Sequence, residues 1–335
     1  MEASTAGSER TRPVRGRCLH KHRWRELHEY RALGWLRVAP GRLGNRSWNG
    51  AGLLVIGEDL FVGGHFSNAG SVAVTNLAIW NGVEWNEAFG GVLNPSPSAT
   101  ETVLSLAVVK ETIYVGGYFQ FASGSPATNI ARLVDDRWEP LISPNTNRGA
   151  MRVTALLADG DSLIVGQDSF RTYPTPPSFV NVLLRWDGTN WSKLGGDVTR
   201  GSGGAILAMA FHGSDLYITG NFLEAGGVRV GGVARWDGQE WHAVGAPLGE
   251  GCPSIASDGQ YVYLSGRVGS AVDGISRSVQ NPLRGIVRFD GEDWKLMGAG
   301  ISPAESEIYD IQPFNDGIFV AARFGTTLAE WRDGK

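Results

Sequence analysis

Six polar residues recur at one place in this 335-residue chain. His65, Tyr118, Asp168, Asn221, Arg267 and Arg323 each follow a pair of mostly small residues at the end of a short apolar run. They differ in kind while their neighbours repeat. Unlike donors and acceptors in similar surroundings suit the lining of a ligand site, because each supplies a different hydrogen bond or charge. Solvated strand ends would give the same polarity with no ligand at all. A second set, Glu101, Arg148, Arg152, Glu305 and Glu307, stands ahead of other apolar runs. Two of its carboxylates would be enough for glycoside cleavage, yet their spacing fits ordinary surface charge equally well.

Other chemistry is thinly supplied. Beyond residue 28 the histidines are His65, His212 and His242, and Cys252 is the one thiol. That is no metal-ligand series, so neither a metal nor a cofactor is expected. Asp159-Gly-Asp161 and Asp290-Gly-Glu-Asp293 read as turns without the ligand series of a calcium loop. No phosphate-cradling Gly-Lys motif, Cys/His zinc pattern or Gly-x-Ser-x-Gly elbow occurs. Arg132, Arg185, Arg235 and Arg288 recur one per repeat, which points to stacking on aromatics or capping of carbonyls rather than catalysis.

The elements that position these residues are visible as a repeat. LFVGGHF, IYVGGYF, LIVGQDSF, LYITGNF, VYLSGRV and IFVAARF align at Val62, Val115, Val165, Ile218, Leu264 and Val320. The intervals are 53, 50, 53, 46 and 56 residues, so one unit of about fifty residues is used six times. Each unit reads as four short strands: an apolar run, a tight turn, the small-pair strand, a longer polar loop, a strand such as ARW, and a strand opened by Trp. The last two are joined by Asp-Gly or Asn-Gly, as in ARWDGQEW at 234–241, and those pairs tolerate the positive φ of a tight hairpin. Burying one indole removes about 150–250 Å² from water, worth ~4–6 kcal/mol at most. Ordering costs about 1–2 kcal/mol per residue, so no single sheet stands alone and the sheets must stack. Trp80, Trp85, Trp138, Trp186, Trp191, Trp236, Trp241 and Trp294, with Trp35 and Trp331 near the ends, are expected to form the packing between sheets.

A four-stranded unit of this length, with a Gly-Gly strand and a spaced aromatic–Trp pair, resembles the kelch repeat. It is most similar to the WDG-x-x-W propellers of secreted bacterial proteins, within the group that includes the central domain of galactose oxidase. The resemblance implies an all-β, six-bladed β-propeller of four-stranded antiparallel blades, with the first strand of each lining a central channel. Val134-Asp135 in place of Asp-Gly, and Ala321-Ala322 in place of Gly-Gly, depart from the pattern and predict less regular blades. The copper chemistry of galactose oxidase is not expected, because its two His and two Tyr ligands and linked Cys have no convergent counterparts here. The Asp box of sialidases is missing too.

Ring closure is expected from the ends. Residues 34–43, GWLRVAPGRL, match a fourth strand with Trp35 in the Trp position, and the chain stops after a third strand around Trp331. An N-terminal outer strand would then join three C-terminal ones. Residues 27–31 compete for the third-strand place, so an incomplete seven-bladed propeller is the alternative. Residues 1–26 hold seven Lys/Arg against three Glu, a basic leader expected to be disordered, and 27–335 form one domain. With a net charge of −4 overall, the remainder carries −8, which argues against nucleic acid as partner. There is no signal-like apolar region at the start and no run of eighteen apolar residues, so no membrane span is expected. Resemblance to secreted propellers favours an extracellular or cell-surface setting.

In such a ring the tight turns share one face, and the long second-to-third loops and the connections share the other. That second face includes 67–75, 90–102, 120–128, 171–180 and 269–284. Binding concentrates on loops held by a rigid scaffold. The expected function is a monomeric, non-catalytic binding module for a protein or glycan, docking around the channel mouth. A propeller hydrolase or lyase acting on a carbohydrate or other small polar substrate is one alternative, and a fragment of a larger surface protein is another.

Overall fold

The computed structural model describes residues 52–94, 103–144, 151–169, 181–199, 205–245, 252–268, 283–297, 308–314, 317–322 and 328–332. Among them there is no helix; the chain is all-β. The leader 1–26 and the expected closing strand 34–43 lie outside these residues.

Five successive four-stranded antiparallel sheets follow the sequence repeat, with strands bonded in chain order. The first is Leu53–Ile56, Asp59–Gly63, Leu77–Trp80 and Trp85–Glu87. The second is Val103–Val109, Thr112–Gly117, Ile130–Val134 and Arg137–Pro140. The third is Met151–Asp159, Ser162–Ser169, Asn181–Trp186 and Trp191–Thr199. The fourth is Ala205–His212, Asp215–Asn221, Val233–Trp236 and Trp241–Ala243. The fifth is Ser254–Ser257, Val262–Val268, Leu283–Phe289 and Trp294–Leu296. A sixth sheet shows three strands, Ile308–Phe314, Gly317–Ala322 and Leu328–Arg332. Hydrogen bonds carry the third sheet into the fourth through the pair Asp168–Ala205, making one continuous path of nine antiparallel strands.

Strand alternation explains why these sheets stack. The second strand of each is buried on both faces, and its successive residues serve different neighbours. Ile113 and Val115 pack with the first sheet's Phe61, Leu77 and Ile79. Tyr114 between them packs with Val153, Leu163 and Val165 of the third. The same division holds further on: Leu216 and Ile218 face the third sheet, while Tyr217 faces the fifth. Tyr263 of the fifth meets Ile308, Ile311 and Ile318 of the sixth. The second to fifth sheets are thus each half of two cores.

The small pair is a spacing device. A Cβ on Gly116 would run into Val153 Cγ1 on the first strand of the next sheet, and one on Gly166 would lie 2.9 Å from Ile206 Cγ2. At these two positions a side chain would collide with the next sheet, so glycine is required there. The first strands compensate with a bulge beside the contact, between Val103 and Ser105, Val153 and Ala155, and Ile206 and Ala208.

The tryptophans behave as two classes. Trp80, Trp186, Trp236 and Phe289 each pack across their hairpin on the Trp that opens the fourth strand, with ring centroids 5.0–5.4 Å apart. That second Trp also reaches back one sheet. Trp138 Nε1 donates to Ala88 O at 3.0 Å, Trp191 Nε1 to Ile142 O at 2.8 Å and Trp241 Nε1 to Gly195 O at 2.6 Å. Trp80, Trp85, Trp138, Trp241 and Trp294 are buried, and Trp186, Trp191 and Trp236 partly so. Trp331 pairs with Ile318 on the sixth sheet, and Trp35 lies outside the described residues.

Candidate binding face

The residues after the small pairs emerge at one end of the second strands, where the longer loops begin. His65, Tyr118 and Asn221 are each half-buried there. Asn221 stands opposite Ala205, the first residue of its sheet. Asp168 differs from them: it is buried, at 5% exposure, although an aspartate at a strand end is ordinarily solvated.

Its partner explains the burial. Arg152 lies directly across the ladder from Asp168, and both its Nε (3.1 Å) and its Nη2 donate to Asp168 Oδ2. A bonded guanidinium supplies the donors that a buried carboxylate needs. One residue from each of the two expected sets is therefore brought together. Beside them Thr154 Oγ1 donates to Gly166 O at 3.2 Å, and Gln167 is buried. Arg267 lies opposite Arg284 in the fifth sheet, and its side chain is outside the described set. Arg323, Glu101, Arg148, Glu305 and Glu307 fall outside the described residues.

Three of the loops expected to vary share one fold. A two-residue hairpin forms at Asn68–Ala69 with Val72–Ala73, at Phe121–Ala122 with Ser125–Pro126, and at Glu224–Ala225 with Val228–Arg229. Two of them also pair with the preceding sheet, Phe121–Ala122 with Val92–Leu93 and Glu224–Ala225 with Val198–Thr199. Phe66, Phe119 and Phe222 are buried beneath them. Asn76 and Asn129 close two of these loops at φ of +63° and +65°, their Oδ1 atoms accepting the N–H of Phe66 and Phe119. These loops stitch sheets together, which narrows the free part of the face. The signal was in the sequence as the repeated Phe-x-x-Ala after the small pair.

A row that sequence reasoning missed runs along the first strands. Ser105, Ala155, Ala208, Ser254 and Asp310 occupy equivalent register positions, opposite Gly116, Gly166, Thr219, Ser265 and Ala321. Ser105 Oγ accepts the N–H of Leu156 in the next sheet at 3.0 Å, and Ser254 Oγ accepts that of Ile311 at 3.2 Å. Ser254 also donates to Asp310 Oδ1 at 2.5 Å. Asp310 keeps solvent-accessible surface, while its carboxyl is desolvated. That desolvation holds its carboxyl above the usual carboxylate range.

The recurring arginines are structural. Arg185 pairs with Asp159 at 2.6 Å, Arg235 with Asp215 at 3.1 Å and Arg132 with Glu139 at 3.4 Å. Arg288 lies 4.2 Å over the ring of Tyr261. Cys252 is buried, which pushes its thiol up to about 11 and leaves it unreactive. No helix among the described residues is long and apolar enough to cross a membrane.

No family model and no curated protein matches this sequence. Among solved structures, the crystal structure of the computationally designed Ika4 protein is 15% identical, with a TM-score of 0.35 over 54% of this chain and 90% of that one.

Proposed function

We propose that the chain is a kelch-like, six-bladed β-propeller that acts as a non-catalytic binding module. Its ligand, a protein or a glycan, docks where the second strands end. Two relationships support a ring. Successive sheets share cores in strict order from the first to the sixth. The first sheet also buries its other face, with Leu60, Val62, Trp80 and Trp85 at 1–7% exposure, as a sheet with neighbours on both sides must.

The observation that carries the binding reading is the contrast at one register position. Across equivalent sheets the surrounding backbone repeats, while the side chain alternates between imidazole, phenol, carboxylate and amide at His65, Tyr118, Asp168 and Asn221. Asp168 is engaged by Arg152, so this carboxylate fits a structural anion better than a general acid. Half-buried, chemically unlike groups on rigid strand ends suit recognition.

The test is a glycan-array and protein-interaction screen with the full chain, followed by titration of the best ligand. His65→Ala, Tyr118→Ala and Asn221→Ala are each expected to weaken that ligand at least about tenfold, or about 1.4 kcal/mol. Unaltered affinity in all three variants overturns the proposal.

A further inference from the structure

The Asp-Gly hairpin turns lead into different side chains. Five residues beyond the turn aspartate stand Ser192 and Lys295 in the third and fifth sheets, but His242 in the fourth. Asp237 begins that turn, and its Oδ1 accepts the N–H of Gln239 and of Glu240, both at 2.8 Å. The carboxylate is thereby pinned, with Oδ2 directed at His242 Nε2 2.6 Å away. His242 is held by its strand, opposite Arg235, and Glu240 Oε1 lies 4.0 Å from the same imidazole nitrogen. Three potential ligand atoms from three side chains lie within 4.8 Å of one another.

The geometry points to a binding site for a divalent ion of the zinc class, ligated by His242 Nε2, Asp237 Oδ2 and Glu240 Oε1. One imidazole nitrogen with two carboxylate oxygens is a donor set for zinc, cobalt or nickel, whereas calcium and magnesium take oxygen alone. Zinc bonds of about 2.0–2.2 Å at tetrahedral angles place ligand atoms about 3.2–3.6 Å apart. The separations from the imidazole nitrogen, 2.6 and 4.0 Å, bracket that value and all three atoms lie within 4.8 Å of one another, so shifts of about an ångström in side chains at the surface complete the set. The metal takes the place of the hydrogen bond between His242 Nε2 and Asp237 Oδ2. Exposure of the turn leaves the fourth position to water. The site lies at the tight turn between third and fourth strands, apart from the proposed binding face, and its ion would clamp that hairpin.

Zinc titration of the full chain, followed by calorimetry and by thermal unfolding, tests this. His20, His22, His28 and Cys18 of the leader also attract zinc, so the parent carries His20→Gln, His22→Gln, His28→Gln and Cys18→Ser. One equivalent of zinc is expected to bind and to raise the unfolding temperature. His242→Gln and Glu240→Gln are each expected to weaken binding at least about tenfold, a cost that loss of supporting residues alone can reach. Asp237→Asn should do the same while keeping the amide-accepting oxygen, so its metal-free unfolding temperature stays near that of the parent. Absence of binding in the parent up to millimolar zinc overturns the proposal, as does unaltered affinity in His242→Gln.

Discussion

The indole Nε1 of Trp294 donates to the carbonyl of Val244, fifty residues earlier, at 2.8 Å. Both atoms are buried and belong to neighbouring sheets, so the bond ties one repeat to the next. The indole Nε1 of Trp80, equally buried, has no acceptor among the described residues.

The two indoles should therefore respond differently to the same change. Trp294→Phe strands the Val244 carbonyl, while Trp80→Phe removes a donor that bonds to nothing. Denaturant unfolding should show Trp294→Phe as less stable than Trp80→Phe by about 1–2 kcal/mol. Equal losses would deny the bond a role.

Gly116 should be intolerant of any side chain. A Cβ there would run into Val153 Cγ1 of the next sheet, so Gly116→Ala should cost about 1–3 kcal/mol by overpacking. Val153→Ala removes that methyl and should rescue part of the loss. In a double-mutant cycle the combined variant should be more stable than the sum of the single losses predicts.

Asn76 combines a positive φ with two buried bonds, accepting from Phe66 N–H at 3.0 Å and donating from Nδ2 to Val92 O at 2.8 Å. Asn76→Ala should lose both bonds and strain the backbone, for about 2–4 kcal/mol in unfolding experiments. Asn76→Gly relieves the strain alone and should fall between Ala and the parent. The fourth sheet already uses Gly231, at φ +62°, beside the corresponding place.

Turn aspartates give the molecule an acid limit. Asp187 and Asp290 are held below the carboxylate value of 3.8, chiefly by backbone N–H groups of Asn190 and Asp293. A folded pKa below the unfolded one means that the stabilisation is whole above the unfolded value and is lost as pH falls through the folded one. Stability should thus decline below about pH 4, and Asp187→Asn with Asp290→Asn should flatten that decline. A pH series of unfolding midpoints checks it.

The repeat, its four strands and their turns were legible because they depend on neighbours in sequence. The Asp-Gly steps at 187–188, 237–238 and 290–291 do form the turns, each aspartate accepting N–H groups two and three residues on. At Val134-Asp135, where the sequence predicts a less regular blade, the ladder runs without a register shift through a two-residue turn in which Asp135 and Asp136 both take positive φ without glycine. The residues after the small pairs share a place in the sequence repeat, but the tie between Asp168 and Arg152 was invisible in it. It depends on ladder register, and the bulge between Val153 and Ala155 shifts that register by one residue.

Local pattern alone decided that this chain makes twisted four-stranded units with apolar second strands, since strand period and turn chemistry are written within a few residues. Packing decided the rest. Which carbonyl an indole meets depends on an atom 50 residues away, and whether a carboxylate at a strand end is solvated or locked depends on a guanidinium 16 residues away across a ladder. No stretch of sequence records those contacts; they exist only once the sheets have formed and stacked.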